Sequence, residues 1–367
     1  MLNNYLELLE SLVNIDSGTG DQEGLKQVAA IIQDRVTKVG FDFRILTGKD
    51  GSTHYLATRG SGARVLLMAH LDTVFPKGTA TKHRFRIEGA RAYGPGVSDC
   101  KSGVVTIVGA LEMISQTKFP DLEIACLFNT DEEISSPGSR ALIEAEARNA
   151  KMVLVIEPAE EDMVTISRKG IGRFDLQVVG KAAHSGSNPQ DGANAILELA
   201  HKIIAIQNLT DLKAGITLNT GVIGGGFRPN VVPDYAAAEI DLRIVSPEQE
   251  GLILPKLEEI VKQQVVAGTS AKLCGGITRP PMQATVANLA LFERLKLVAG
   301  ELGLNLDKNE SGGGSDANFT AALGIPTLDG LGPTGGGHHS EAEYLVIDSL
   351  VERIELLGMF LINLGNK

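Results

Sequence analysis

Cysteine is scarce: Cys100, Cys126 and Cys274 are odd in number, widely spaced and contain no CxxC pair. That excludes a disulfide framework and a cysteine-held zinc site, and the three read as reduced thiols. No apolar run is long enough to span a bilayer, so no membrane span is expected. The opening stretch MLNNYLELLESLVNIDS lacks the basic region of a signal peptide. Its leucines fall at helical spacing with acids among them, which predicts an amphipathic first helix and a cytoplasmic protein. Positive charge is in deficit, with 34 Lys+Arg against 45 Asp+Glu for a formal net charge of −11. No Lys/Arg cluster interleaved with aromatics offsets that balance, which disfavours nucleic acid as a partner. The acid excess suits metal ions better, although most acids on any protein are solvated surface groups. Internal repeats and low-complexity tracts are missing too.

The chain does have the length and composition for a sizeable core. Its 367 residues, 43% hydrophobic and 22% charged, belong to the soluble globular class and favour two domains. Three short β-branched runs, Val65 to Met68, Ile124 to Phe128 and Met152 to Ile156, predict buried strands. Helix-like stretches, Gly103 to Gln116 and Ser139 to Ala147, lie between them, the order of an α/β sheet with parallel members. From about residue 170 the pattern changes. Gly172 to Val179 and Tyr235 to Val245 alternate, and Gly192 to Gln207 and Pro247 to Gln264 have helical period, which predicts a small sheet with two helices inserted into the first domain. The expected organisation is a first catalytic part over 1–169, an inserted unit over 170–279 and a second catalytic part over 280–367. In that last part a helix over Ala287 to Gly300, a short strand near Ile325 to Leu328 and a helix from Ile347 are expected.

Each predicted strand of the first domain ends in ionisable residues: His70 and Asp72, then Asp131, Glu132 and Glu133, then Glu157. Ligands of open α/β sheets bind beyond the carboxyl ends of the strands, so three strands aim at one crevice. Asp99, in GPGVSD, and His339, in GHHSEAE, complete a set of two histidines and several carboxylates. Imidazole and carboxylate suit Zn²⁺, and crowded acids repel unless a cation neutralises them. With two metals roughly 3.5–4 Å apart a single carboxylate can serve both. Asp72 can accept the second ring N–H of His70, and one of Glu132 and Glu133 can ligate while the other acts as general base. Taken singly, an HxD or EE string is a commonplace cap or surface cluster; the joint pattern is what carries weight. Cys100 reads as a small buried thiol rather than a third kind of ligand, and His54, His83 and His201 as surface or satisfied core residues.

Together HLDTVFPKG (70–78), YGPGVSDCKSG (93–103), FNTDEE (128–133), EP (157–158), GKAAHSG (180–186) and GGGSDA (312–317) resemble the M20 metallopeptidase family, most closely its bacterial glutamate carboxypeptidase branch. The resemblance implies a zinc-exopeptidase-like mixed sheet flanked by helices, with an inserted α+β lid and dimerisation domain. It further implies two Zn²⁺ ions, replaceable by Co²⁺ or Mn²⁺, bridged by Asp99, with Glu133 and His339 completing one site and His70 and Glu157 the other. Glu132 becomes the general base and Asp72 orients His70. His184 would polarise the scissile carbonyl from the partner subunit of a homodimer. Asn230 would hold the oxyanion and Arg243 the substrate carboxylate, with Arg279 as a second carboxylate contact and Gly313 and Gly314 offering backbone N–H groups. The expected substrate is a peptide or N-acyl amino acid with a free carboxylate. An aminopeptidase or tripeptidase, an N-acyl-amino-acid deacylase, or a non-catalytic metal-binding protein are the competing readings.

Overall fold

The computed structural model describes residues 2–365, and its contacts divide the chain into two compact units. The first comprises the chain up to Ser167, Ala284–Ser311 and the segment from Ser315 onward; the second comprises Arg168–Gln283 with Gly312–Gly314.

In the first unit α1 (Leu2–Val13) and α2 (Gln22–Lys38) precede β1 (Asp42–Thr47), β2 (Thr53–Gly60) and β3 (Ala63–His70); α3 (Lys101–Ser115), β4 (Leu122–Asn129) and β5 (Met152–Val155) follow. Among the described residues these strands form one mixed sheet in the order β1-β2-β4-β3-β5, closed by the short strand Thr327–Leu328. β3 runs parallel to β4 and β5, and Thr327–Leu328 runs parallel to β5. β2 pairs antiparallel with β4, and β1 antiparallel with β2. The parallel strands have covered faces, which is why their sequences read as continuous aliphatic runs. α3 packs on β3 and touches α1, α2 and the helix Ile347–Gly365. Being buried on nearly every side, it carries apolar or small residues all round from Gly103 to Leu111. Gly103 has a specific reason: a Cβ there would sit 2.0 Å from the Ile156 carbonyl oxygen, so only glycine lets the start of α3 approach the end of β5 this closely.

The second unit is an antiparallel sheet of β6 (Gly170–Val179), β7 (Thr217–Gly225), β8 (Tyr235–Ile244) and β9 (Ser270–Arg279), in the order β7-β8-β6-β9. Two helices, α4 (Ala195–Gln207) and α5 (Pro247–Lys262), cover it. β6 alternates buried and exposed over Phe174–Val179, and its inward Phe174, Leu176 and Val178 meet Leu199, Ile206, Ile253 and Leu257 from the helices. The sequence predicted two strands here; β7 and β9 are additional. In the first unit the β1–β2 hairpin and α2 are likewise elements the periodicity did not announce. Among the described residues no helix is long and apolar enough to cross a membrane.

Candidate metal centre and active site

The carboxyl ends of β3, β4 and β5 deliver His70, the turn Glu132–Ile134 and Glu157, and the loop entering α3 delivers Asp99. These side chains converge. His70 Nε2 lies 3.0 Å from Asp99 Oδ1 and 3.8 Å from Glu157 Oε2. On the other side of the same carboxylate, His339 Nε2 lies 3.3 Å from Asp99 Oδ2 and 3.3 Å from Glu133 Oε2. Asp99 therefore stands between two histidine–glutamate pairs, one oxygen toward each. The adjacent His338 turns elsewhere, its Nε2 3.0 Å from Ser98 Oγ. His339 adopts a left-handed backbone conformation, φ 62°, unusual for a residue with a side chain and found where surrounding structure dictates it. Gly337, φ 68°, opens the same turn.

The electrostatics of this cluster fit a cation. Burial pushes the Glu133 carboxyl up to about 8 and raises Glu157 as well. Burial would also raise Asp99, but hydrogen bonds from His339 and His70 hold it well below the usual carboxylate range. The bond to Asp99 pushes His339 up to about 9. Burial works against protonation of His70, yet Glu157 and the bonds to Asp72 and Asp99 overcome it and raise that ring too. Crowded acids thus borrow protons from histidines to offset their charge. Glu133 Oε1 is also buried without a hydrogen-bond partner among the described residues. An orphaned carboxylate oxygen beside imidazole nitrogens is satisfied by a divalent cation, and the mixed N/O donor set is one zinc accepts. His70, Cys100 and Glu157 also lie close enough to form a ligand group. The Cys100 thiol donates to the Ile156 carbonyl at 3.2 Å, and burial raises it well above its ordinary value, so without a cation it stays a neutral thiol.

The supporting residues are as informative. His70 Nδ1 bonds the backbone carbonyl of Asp72 at 2.9 Å, with the Asp72 carboxylate farther away at 3.4 Å. That carboxylate accepts from Thr19 Oγ1 (2.7 Å), Glu132 N (3.2 Å) and Glu133 N (3.3 Å), so it holds the turn carrying both glutamates as much as it faces the histidine. Behind the turn, Asp131 accepts the N–H groups of Gly138 and Ser139, and Asp316 accepts from Asn129 and Ser136. Asp316 belongs to the GGGSDA motif, and Glu343 to the loop after His339; neither carries a task that its sequence context predicts. His54 is buried with its Nε2 2.8 Å from Ser52 Oγ, and His83 faces Glu341 at 3.2 Å.

The other site candidates lie in the second unit. His184 is exposed, and its Nδ1 accepts the N–H groups of Gly186 (3.1 Å) and Ser187 (3.0 Å). The ring proton therefore sits on Nε2, making that atom a donor. Asn230 is exposed in the neighbouring segment, and its carbonyl accepts from Ser185 N. Arg243 makes a two-pronged contact with Asp241, 2.9 and 3.1 Å, and reaches the Gly312 carbonyl at 3.4 Å. Arg279 is buried at the end of β9, and a Cβ on Gly314 would meet its Cδ at 2.9 Å. Arg168 Nη1 approaches the Gly313 carbonyl at 3.5 Å. The glycine loop therefore sits among three arginines, of which Arg168 had no role in the sequence reading.

A mixed α/β sheet whose strand ends and adjoining loops gather two histidines and two glutamates around a shared aspartate defines a metal-dependent hydrolase. Residues 66–363 match the model of peptidase family M20/M25/M40. The chain is 33% identical to carboxypeptidase G2 of Pseudomonas sp. (strain RS-16), over 98% of this chain and 89% of that protein. It superposes on a tripeptidase from Staphylococcus aureus with a TM-score of 0.87 at 22% identity, covering 100% of this chain and 99% of that one. With a dinuclear metal-binding peptidase of the M20 family from Bacillus subtilis the TM-score is 0.74 at 17% identity, over 100% and 98% of the two chains. The chain belongs to peptidase family M20/M25/M40.

Proposed function

We propose that the protein is a di-zinc carboxypeptidase that hydrolyses the amide bond of a C-terminal amino acid, with glutamate a candidate, in peptides or N-acyl amino acids. The observation that carries this reading is the Asp99 carboxylate facing a histidine–glutamate pair on each side. His70 and Glu157 would hold one zinc, His339 and Glu133 the other, and Asp99 both, with Co²⁺ or Mn²⁺ able to replace zinc. When bound, the ions supply Lewis acidity that lowers the pKa of water toward about 7. Glu132, on the turn held by Asp72, takes the proton of the attacking water and passes it to the leaving nitrogen. A cavity of about 650 Å³ lined by Thr73, Val74, Phe75, Pro76, Glu133 and Ile134 adjoins the site, and supports an acyl group with an apolar portion.

The second unit acts in this reading as lid and dimerisation domain. Arg243, kept planar and oriented by Asp241, pairs with the substrate carboxylate, and Arg279 and the Gly313–Gly314 loop complete that subsite. His184, with its proton on Nε2, and Asn230 donate to the oxyanion, His184 from the partner subunit. Dimerisation is supported by exposed aliphatics on both an edge strand and a helix: Val222 and Ile223 on β7, and Ile196, Leu197 and Ile204 on α4. The deciding experiment presents zinc-loaded protein with N-blocked dipeptides. Release of the C-terminal residue, abolished by chelation, is expected; a strict requirement for a free N-terminus would make it an aminopeptidase instead.

A further inference from the structure

Glu343 is buried, and its carboxylate points into the loop that precedes α3. One oxygen accepts the N–H groups of Ser98 (2.8 Å) and Asp99 (2.9 Å), the other that of Gly96 (3.0 Å). Three backbone donors thus converge on a single acid that lies far away in the sequence. The same residue closes the turn carrying His339. Ser340 N bonds the Gly337 carbonyl at 3.2 Å, and Glu343 N bonds the Ser340 carbonyl at 3.1 Å. Asp99 sits in the loop that enters α3 and His339 in the loop between the short paired strands Gly335–Gly336 and Tyr344–Val346, whereas His70 ends β3 and Glu157 closely follows β5. Glu343 locks these two loops together through three bonds, beside the single contact of Ser98 Oγ with His338 Nε2 at 3.0 Å.

We infer that Glu343 is a positioning residue for the cation held between Asp99, Glu133 and His339, and matters much less for the one held by His70 and Glu157. The inference rests on the di-zinc reading above. Charge-assisted bonds from backbone N–H groups to a carboxylate are strong and directional, so they set where Asp99 stands relative to His339. An amide cannot reproduce them. In Glu343→Gln only one acceptor oxygen remains, and the NH₂ faces at least one buried N–H of Gly96, Ser98 or Asp99. The loop must then shift, and the Asp99–His339 separation with it. Residues that orient metal ligands typically change affinity by roughly 10–100-fold when altered.

The test is a zinc titration of the chelated full chain against a chromophoric competitor, with elemental analysis of the loaded protein. Wild type should bind two ions. Glu343→Gln should bind the ion at Asp99, Glu133 and His339 about 10–100-fold more weakly and the ion at His70 and Glu157, which shares only Asp99 with the disturbed loops, with a clearly smaller loss, kcat rather than KM falling and activity recovering as free zinc is raised. A merely structural acid would lower the melting temperature of the chelated protein without that split or that rescue. Two ions at wild-type affinity in Glu343→Gln overturn the inference. Should that variant fail to fold, Glu343→Asp keeps the charge but shortens its reach; it should weaken the ion at Asp99, Glu133 and His339 in the same direction, and wild-type affinity there overturns the inference equally. Fewer than two ions in wild type would remove the di-zinc reading itself, a result distinct from unchanged affinities in the variants.

Discussion

Replacing Asp72 by asparagine removes a charge and almost no volume, at a residue with no solvent exposure. In the native site one carboxylate oxygen accepts from Thr19 Oγ1 and Glu133 N, the other from Glu132 N with His70 Nδ1 beyond it. The amide can be placed two ways. With its nitrogen toward Thr19, that hydroxyl can turn to accept, but Glu133 N–H loses its acceptor; flipped, Glu132 N–H loses its own. One tether of the Glu132–Ile134 turn is lost either way, and an unsatisfied buried donor costs about 1–3 kcal/mol. His70 keeps its 2.9 Å bond to the Asp72 carbonyl, so its tautomer does not change. Asp72→Asn should therefore lose about 1–3 kcal/mol of stability in urea unfolding, and about 10–100-fold in kcat, while still binding both cations at saturating metal. Steady-state kinetics on an N-acyl amino acid, elemental analysis and the urea midpoint give the three readings. Unchanged kcat would refute the tethering argument, and loss of both ions at saturating zinc would show that the carboxylate works chiefly through His70.

Glu132→Ala should keep its metal and lose roughly 10²–10⁴-fold in kcat, the range for a general base; near wild-type turnover would remove Glu132 from that role. His184→Ala should slow catalysis with metal content unchanged, and mixing it with Glu132→Ala should restore part of the activity if the histidine serves the partner subunit; no recovery in proven mixed dimers would end that assignment. For pH, the metal-free protein is the informative form. The bond to Asp99 pushes His339 up to about 9 from its ordinary 6.5, and burial pushes Glu133 up to about 8 from 4.5, so the folded chain binds extra protons across that window. The stability these two groups contribute is full below their unfolded values and falls as pH rises toward 9. Cations displace those protons, so metal binding should tighten over the same range. Thermal melts with and without chelator should diverge as pH rises; a chelated protein whose melting temperature is flat or increasing would contradict this.

The parts of the fold that the sequence announced are those under one dominant constraint. β3, β4 and β5 are buried on both faces, and their aliphatic runs are conspicuous. β1 is exposed for most of its length, so neither alternation nor a continuous run marks it. β7 and β9, in TLNTGVIGG and SAKLCGGITR, are rich in glycine and largely unburied, and they form the sheet's edges, where pairing rather than packing defines the strand. The convergence of His70, Asp99, Glu133, Glu157 and His339 was legible because strand ends carry ligands and because the motifs resemble a known family. Their supports were not. Glu343 acts through backbone N–H groups that long-range folding brings to it, Asp316 through the distant side chains of Asn129 and Ser136, and Asp131 through the N–H groups of Gly138 and Ser139, and a lone acid in a sequence gives no sign of which donors it will meet.

One consequence follows from the way the first unit is stitched together. Its sheet is completed by Thr327–Leu328, and its cation cluster by His339, both of which come after the whole inserted unit in the chain. A polypeptide emerging from the ribosome presents His70, Asp99, Glu133 and Glu157 before residue 339 is made, so the four cannot meet His339 until the inserted unit has been synthesised. The order of residues therefore defers assembly of the five-residue cluster until the segment after the inserted unit has paired beside β5.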